Sequence, residues 1–254
     1  MNLLAHARIA MWQGGSLWVV DAVAPPGSST EPHAHHAIQI SFSMGGWMRF
    51  RSGEHALDDA AIVVAADAIH VFEAQGVIGH LFIDPDSRDG RTISRSLLTG
   101  APIAPVSIGQ IQGIVDAVLE NFQADRRDEQ ALAGLGRSMI ERFAGGVVGD
   151  APDLRVRKLM AAAAERLDTS VSLSDFAGLG GLSASRLRHL FVEQTGLPFR
   201  TYLLWLRLGR ALERIAAGAA MTMAAHEAGF ADAAHFSRTF KRMFGISPTA
   251  LRIS

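Results

Sequence analysis

Between residues 32 and 39 the chain runs Pro32-His33-Ala34-His35-His36-Ala37-Ile38-Gln39, the one dense group of metal-ligating side chains in the sequence. Neutral imidazole is a strong nitrogen ligand near physiological pH. Strand alternation would put His33, His35, Gln39, Ser41 and Ser43 on one face and His36, Ile38, Ile40 and Phe42 on the other. If the polar face turns into a barrel, two imidazoles and an amide converge, with His70 or His80 as a further nitrogen. Such a set suits a divalent transition metal (Zn, Ni, Fe or Mn). Two other readings stay open: His33, His35, Gln39, His70 and His80 line a pocket for an organic effector, or they do neither. His6 and His55 read as incidental surface histidines.

The 254 residues contain no Cys, which excludes disulfides, thiolate-held zinc and thiol nucleophiles. No Ser-His-Asp arrangement, phosphate-binding loop or dinucleotide fingerprint is present. The formal net charge of −1 hides an asymmetry. Residues 151–254 carry 14 Lys+Arg and 8 Asp+Glu, a net +6, whereas residues 1–150 carry 10 and 17, a net −7. The C-terminal part is therefore suited to a polyanion and the N-terminal part is not.

These groups need elements to position them. Residues from about Leu17 to Asp84 read as short strands punctuated by Pro25-Pro26-Gly27, Gly45-Gly46, Ser52-Gly53 and Gly76, the pattern of a small barrel or sandwich. Asp84–Pro105 is polar and turn-rich and gives no clear element. Helical spacing begins at Ile108 and continues through Ile111, Val115, Val118, Leu119 and Phe122. A second helix follows through Leu132, Leu135, Met139, Ile140 and Phe143. This pair either covers the barrel or forms a dimer interface along Ile111, Val118 and Phe122. The expected organisation is a sensor barrel over 1–106, a helical pair over 107–145, a linker over 146–153 and an all-helical domain over 154–254.

The helical domain carries a repeat at an offset of 49 residues. Leu187, Phe191, Gly196 and Leu197 recur as Phe236, Phe240, Gly245 and Ile246. Ser172 starts a helix over Leu173–Leu179, Gly180-Gly181 breaks it, and Ser183 caps a second helix that stops at Gly196. This is a helix-turn-helix, and the repeat makes a second one. Between them Pro198–Ala217 predicts a helix of roughly 30 Å. That length suits two units set in successive major-groove faces about 34 Å apart.

The run Gly229-Phe230-Ala231-Asp232-Ala233-Ala234-His235-Phe236-Ser237-Arg238-Thr239-Phe240-Lys241-Arg242-Met243-Phe244-Gly245-Ile246-Ser247-Pro248 resembles the signature of the AraC/XylS transcription regulators. Leu182-Ser183, Leu187, Leu190-Phe191 and Gly196 are similar to the family's first unit, as are Arg207-Leu208 and Ala211 to its central helix. The resemblance implies a bacterial one-component regulator with a seven-helix, double helix-turn-helix domain. It places Ser185, Arg188 and His189 towards bases in the first unit, and Ala233, Ala234, Ser237 and Arg238 in the second. His235 falls near the backbone, and Lys241, Arg242, Arg207 and Arg210 become candidate phosphate contacts. Arg188 can hold guanine bidentately, whereas Ala233 and Ala234 offer only methyl contact to thymine.

The histidine segment resembles the early motif of the cupin barrel. The resemblance implies metal ligands at His33, His35 and His70, with Gln39 standing where cupins carry Glu. The expected fold is thus α+β and multidomain: a cupin-like barrel with a helical pair, then an all-α double helix-turn-helix domain. The expected function is a transcription regulator that binds double-stranded operator DNA and is controlled by a small-molecule or metal effector. A homodimer and contact with RNA polymerase complete the expected partners. The alternative is a metal-dependent cupin enzyme with an attached DNA-binding domain, which the missing Glu opposes. No targeting segment is read at Met1–Val20, and the longest apolar run, Ala60–Ala66, is far short of the ~18 residues a membrane span needs. A soluble, cytoplasmic protein without membrane partners is expected.

Overall fold

The computed structural model describes residues 6–22, 29–125, 128–145, 153–167, 172–176 and 182–250. The N-terminal half is built on an antiparallel sheet. Its strands are β1 (His6–Trp12), β2 (Gly15–Ala22), β3 (Ile38–Ser43), β4 (Trp47–Ser52), β5 (His55–Asp58), β6 (Ala61–Val64), β7 (Val71–Ile83) and β8 (Ile103–Pro105). Their order is β1-β2-β7-β3-β6-β8, with β4 joining β7 to β5.

The long strand β7 joins the two parts of this sheet. Its first part, Val71–Gln75, pairs with β4, and from Gly76 onward it pairs with β2 on one side and β3 on the other. Gly76 has a φ of 90°, a left-handed conformation that glycine adopts without strain. The β3–β4 turn crosses at the same place. A Cβ on Gly46 would lie 1.8 Å from the Gln75 carbonyl oxygen. Gly76 therefore bends one strand where the sequence suggested two.

Alternation along the strands gives the sheet two different faces. Val20, Met48, Phe50, Ile62, Val64, Phe72 and Ile78 fill the interior. Leu17, Val19, Ile38, Ile40, Phe42, Leu81 and Ile83 point the other way, onto α2 (Gln112–Gln123) and α3 (Glu129–Phe143). Ile111 and Val118 are buried there and Phe122 is half-buried, so the helical pair covers the sheet. The guanidinium of Arg8, above the Phe122 ring, donates to the carbonyls of Asn121 and Ala124 and ties β1 to the end of α2.

Two regions differ from the sequence expectation. β1 precedes the first expected strand, because Ala7, Ala10 and Met11 are poor strand formers recruited by pairing with β2. The turn-rich stretch contains α1 (Arg88–Ile93), a π-helical turn over Ser94–Leu98 and β8. Ser87 caps α1 by accepting from the Gly90 N–H, a short-range signal hidden in a polar run.

The C-terminal half is helical: α4 (Leu154–Glu165), a 3-10 turn (Leu173–Phe176), α5 (Ala184–Thr195), α6 (Phe199–Ala216), α7 (Met221–Glu227) and α8 (Ala233–Phe244). The expected helix over Leu173–Leu179 is a 3-10 turn as far as Phe176, and its remainder, with Gly180-Gly181, lies outside the described residues. Most of the expected linker, residues 146–152, does too. Two aromatic clusters hold the half together. Leu187, Phe191, Phe199 and Tyr202 gather around α5, and Trp205, Phe236, Phe240 and Phe244 around α8. Each fully buried side chain of this size is worth roughly 1.5–3 kcal/mol. Among the described residues no helix is long and apolar enough to cross a membrane.

Candidate functional site

Two sites emerge, one on the helices and one inside the sheet. On α5, Leu187 and Phe191 are buried, which leaves Ser185, Arg188 and His189 exposed on the opposite face. Ser183 accepts from the Arg186 N–H and starts the helix, and Gly196 ends it at φ 74°. On α8 the burial of Phe236, Phe240, Met243 and Phe244 exposes Ala234, His235, Arg238 and Lys241. Ala233 and Ser237 are half-buried, and the Ser237 hydroxyl is turned to the Met221 sulfur at 3.6 Å. Asp232 caps this helix by accepting from the His235 N–H at 2.6 Å.

The exposed faces correspond across the 49-residue offset: Ser185 to Ala234, Arg188 to Ser237, His189 to Arg238. α6, whose 18 residues span about 27 Å, separates them. Its own charges are partly committed. Arg214 pairs with Glu227, and Arg210 lies 3.9 Å from Glu213. Arg207 is half-buried.

The histidine site lies inside the sheet. His33 and His35 sit before β3 rather than in it, and an isolated bridge pairs His33 with His70. Ring centroids are 4.4 Å apart for His33–His70, 4.9 Å for His35–His70 and 6.0 Å for His33–His35. Backbone carbonyls set the tautomers. Nδ1 of His33 lies 2.9 Å from the Glu31 oxygen, that of His35 2.8 Å from Ala37, and that of His70 2.9 Å from Ala68. A carbonyl can only accept, so each Nδ1 carries the proton and each neutral ring keeps its lone pair on Nε2. Ligand atoms of His33, His35 and His70 lie within 4.8 Å of one another.

The electrostatics favour neutral rings. Burial, reinforced by the neighbouring His35, pushes His70 down to about 3. Burial likewise pushes His80 down to about 3 and lowers His35, against the Gln39 hydrogen bond. His70 Nε2 is buried without a hydrogen-bond partner, a costly arrangement unless something binds it. This donor set fits a divalent transition metal.

Gln39 and His80 form a network beside the three rings. The carboxamide oxygen of Gln39 lies 2.6 Å from His35 Nε2, and its nitrogen lies 2.8 Å from Ser41 Oγ and 3.0 Å from His80 Nδ1. Turned about its last bond, the carboxamide offers its NH2 to His35, as a neutral ring requires.

A third feature had no signal in the sequence. Asp84, 2% exposed, accepts from Trp205 Nε1 at 2.8 Å and joins the sheet to the middle of α6. The second helix-turn-helix also reaches the histidines, since a Cβ on Gly245 would lie 2.4 Å from His33 Cδ2. Both pairings link residues more than 100 positions apart, which a single sequence does not reveal.

The helix-turn-helix domain family matches residues 176–253. That decides the helical half. It is a helix-turn-helix domain. The half before it is an antiparallel sheet with a helical pair, and the whole is the two-part α+β architecture expected. The HTH-type transcriptional activator RhaS of Enterobacter sp. (strain 638) is 34% identical over 170 residues, 66% of this chain and 60% of RhaS. The uncharacterized HTH-type transcriptional regulator YidL of Escherichia coli (strain K12) is 34% identical over 98 residues, 38% of this chain and 33% of YidL. The match thus spans 60% of the length of RhaS and a third of YidL. Among solved structures, ToxT from Vibrio cholerae O395 is 12% identical with a TM-score of 0.48, over 92% of this chain and 95% of that one. RhaS is thus a transcriptional activator by name and YidL a transcriptional regulator.

Proposed function

We propose that this AraC-type protein is a transcription regulator that reads operator DNA with α5 and α8 and responds to an effector held at the histidine site. The observation that carries the first part is the pair of repeat-related helices, with Ser185, Arg188 and His189 exposed on one and Ala234 and Arg238 exposed beside half-buried Ala233 and Ser237 on the other. Arg188, with two planar donors free in solvent, is the residue fit to distinguish guanine. Ala233 and Ala234 leave α8 with less to read, so Arg238, Lys241 and His235 there serve mainly the backbone. Selection of binding sites from random duplexes tests this with Arg188→Ala and Arg238→Ala. Arg188→Ala should relax specificity at one position by about 1–3 kcal/mol. An equal, sequence-independent loss for both variants would reduce them to phosphate contacts.

For the effector, the Nε2 atoms of His33, His35 and His70 favour a divalent transition metal held by the three rings, with the Gln39 carboxamide, which meets His35 Nε2 and is itself held by Ser41 and His80, giving way on that nitrogen when the ion binds. The unpartnered His70 Nε2 supports this over a purely structural cluster. When bound, the ion would supply a fixed positive charge and an open coordination position. Metal content of untagged protein, with His35→Ala as the control, is the test. One equivalent that vanishes in the variant upholds the site. No retained metal under loading conditions leaves these side chains as lining for an organic effector.

A further inference from the structure

The 49-residue repeat extends to how the helical half is mounted on the sheet. At the end of α5, the Arg88 N–H donates to the Gly196 carbonyl at 3.1 Å, and the Arg88 guanidinium donates to the Glu193 carbonyl. At the end of α8, the His36 N–H donates to the Arg242 carbonyl at 2.8 Å and the Ala37 N–H to the Met243 carbonyl at 3.4 Å. Glu193 and Arg242 are equivalent positions of the repeat. So are the two C-cap glycines, and both press on the sheet domain. A Cβ on Gly196 would lie 3.0 Å from Arg88 Cβ, and one on Gly245 2.4 Å from His33 Cδ2 and 3.4 Å from His35 Cδ2. Between them stands the Trp205–Asp84 hydrogen bond. These hydrogen bonds fall at three places, and the first and last of them reach equivalent carbonyls, those of Glu193 and Arg242, on the two recognition helices.

The ends rest on different ground. The first rests on Arg88, at the start of α1 and remote in sequence from His33 and His35. The second rests on residues 33–37, the segment that carries His33 and His35. Aromatic contacts reinforce that link, since Phe82 packs edge-on against both His35 (5.4 Å) and Phe244 (5.3 Å), and Trp18 stacks on Phe240 (5.8 Å). An occupant that reorders the His33 and His35 rings must shift the segment on which Gly245 and the end of α8 sit. It leaves Arg88 where it is.

We infer that occupancy of the histidine site moves the second helix-turn-helix relative to the first, so that the effector controls the spacing and angle of the two reading helices rather than the docking of the whole domain. The inference rests on the histidine cluster being the effector site. An occupant that favours one arrangement shifts the population towards it, and the arrangement in turn alters affinity for the occupant.

The absence of Cys makes the test clean, because introduced pairs are the only labelling sites. Two pairs at exposed positions serve: Glu54→Cys with Arg186→Cys, from the sheet to the first unit, and Glu54→Cys with Arg238→Cys, from the sheet to the second. Spin-label distances are measured with and without one equivalent of zinc, with retained zinc quantified on the same samples. The expected result is a change of about 2 Å in the second distance, no change in the first, and loss of the effect in His70→Ala. Zinc retained with both distances moving alike, or neither moving, overturns the inference and leaves the site standing. No zinc retained overturns the reading of the cluster as a metal site and, with it, the inference.

Discussion

Trp205→Phe is the perturbation that most directly probes the contact between the two halves. It keeps an aromatic ring beside Phe244 but removes the indole N–H, leaving the buried Asp84 carboxylate to the Asp86 N–H at 2.9 Å. A hydrogen bond to a charged buried group is worth about 1.5–3 kcal/mol, and one to a neutral group about 1. Trp205→Phe should therefore cost about 1 kcal/mol more in the wild-type background than in the Asp84→Asn background, the packing loss cancelling between the two. The difference should depend on pH with a definite sign. Burial raises the Asp84 pKa above its usual value, opposed by the Trp205 hydrogen bond. The folded protein thus holds this proton at pH values where the unfolded chain has lost it. The Asp84 contribution to stability is then fullest below the unfolded pKa and declines as pH rises through the folded one. Below the folded pKa the carboxyl is neutral and resembles a carboxamide, so the extra cost of Trp205→Phe should vanish there. Urea unfolding of the four members of the cycle across pH 4.5 to 8, read on the helical transition because two halves need not unfold together, measures this. An equal cost in both backgrounds at every pH would show that the indole only packs.

Two further substitutions test packing and local start signals. A Cβ on Gly79 would lie 2.2 Å from Phe42 Cζ, so Gly79→Ala should destabilise the sheet domain by about 1–3 kcal/mol; an unchanged melting temperature would mean that Phe42 has room to turn. Asp232→Ala removes the side chain that accepts from the His235 N–H and should lower stability by about 1 kcal/mol. Helicity and unfolding of the full chain read this, and no change would mean that the α8 start is held by packing alone.

The helical half was legible because its signals are local. Ser183 and Gly196 bound α5 where the sequence sets its ends, and Asp232 and Gly245 bound α8 in the same way. The sheet was less legible because strand identity depends on partners. Gly76 reads as a break in the sequence, yet in the fold it is where one strand bends to serve two neighbours. The third histidine was within reach, since His70 follows from the cupin resemblance. Its convergence with His33 and His35 nevertheless depends on a bridge between irregular segments rather than on the strand alternation expected of residues 33–37.

Gly196 and Gly245 show what local reading leaves out. Each is explained fully by its helix, since a left-handed C-cap favours glycine at φ 74° and 76°. Asparagine also tolerates that conformation, so the cap alone would admit a side chain. The neighbours do not: backbone and Cβ atoms of Arg88 crowd one position and the His33 ring the other. Replacing Gly245 by Asn therefore separates the two roles. With the cap largely retained, the helix should persist while its seat on residues 33–37 is pushed away. Loosening of that seat without loss of helicity would assign this glycine to docking as much as to the helix end. Unchanged docking would return it to the cap.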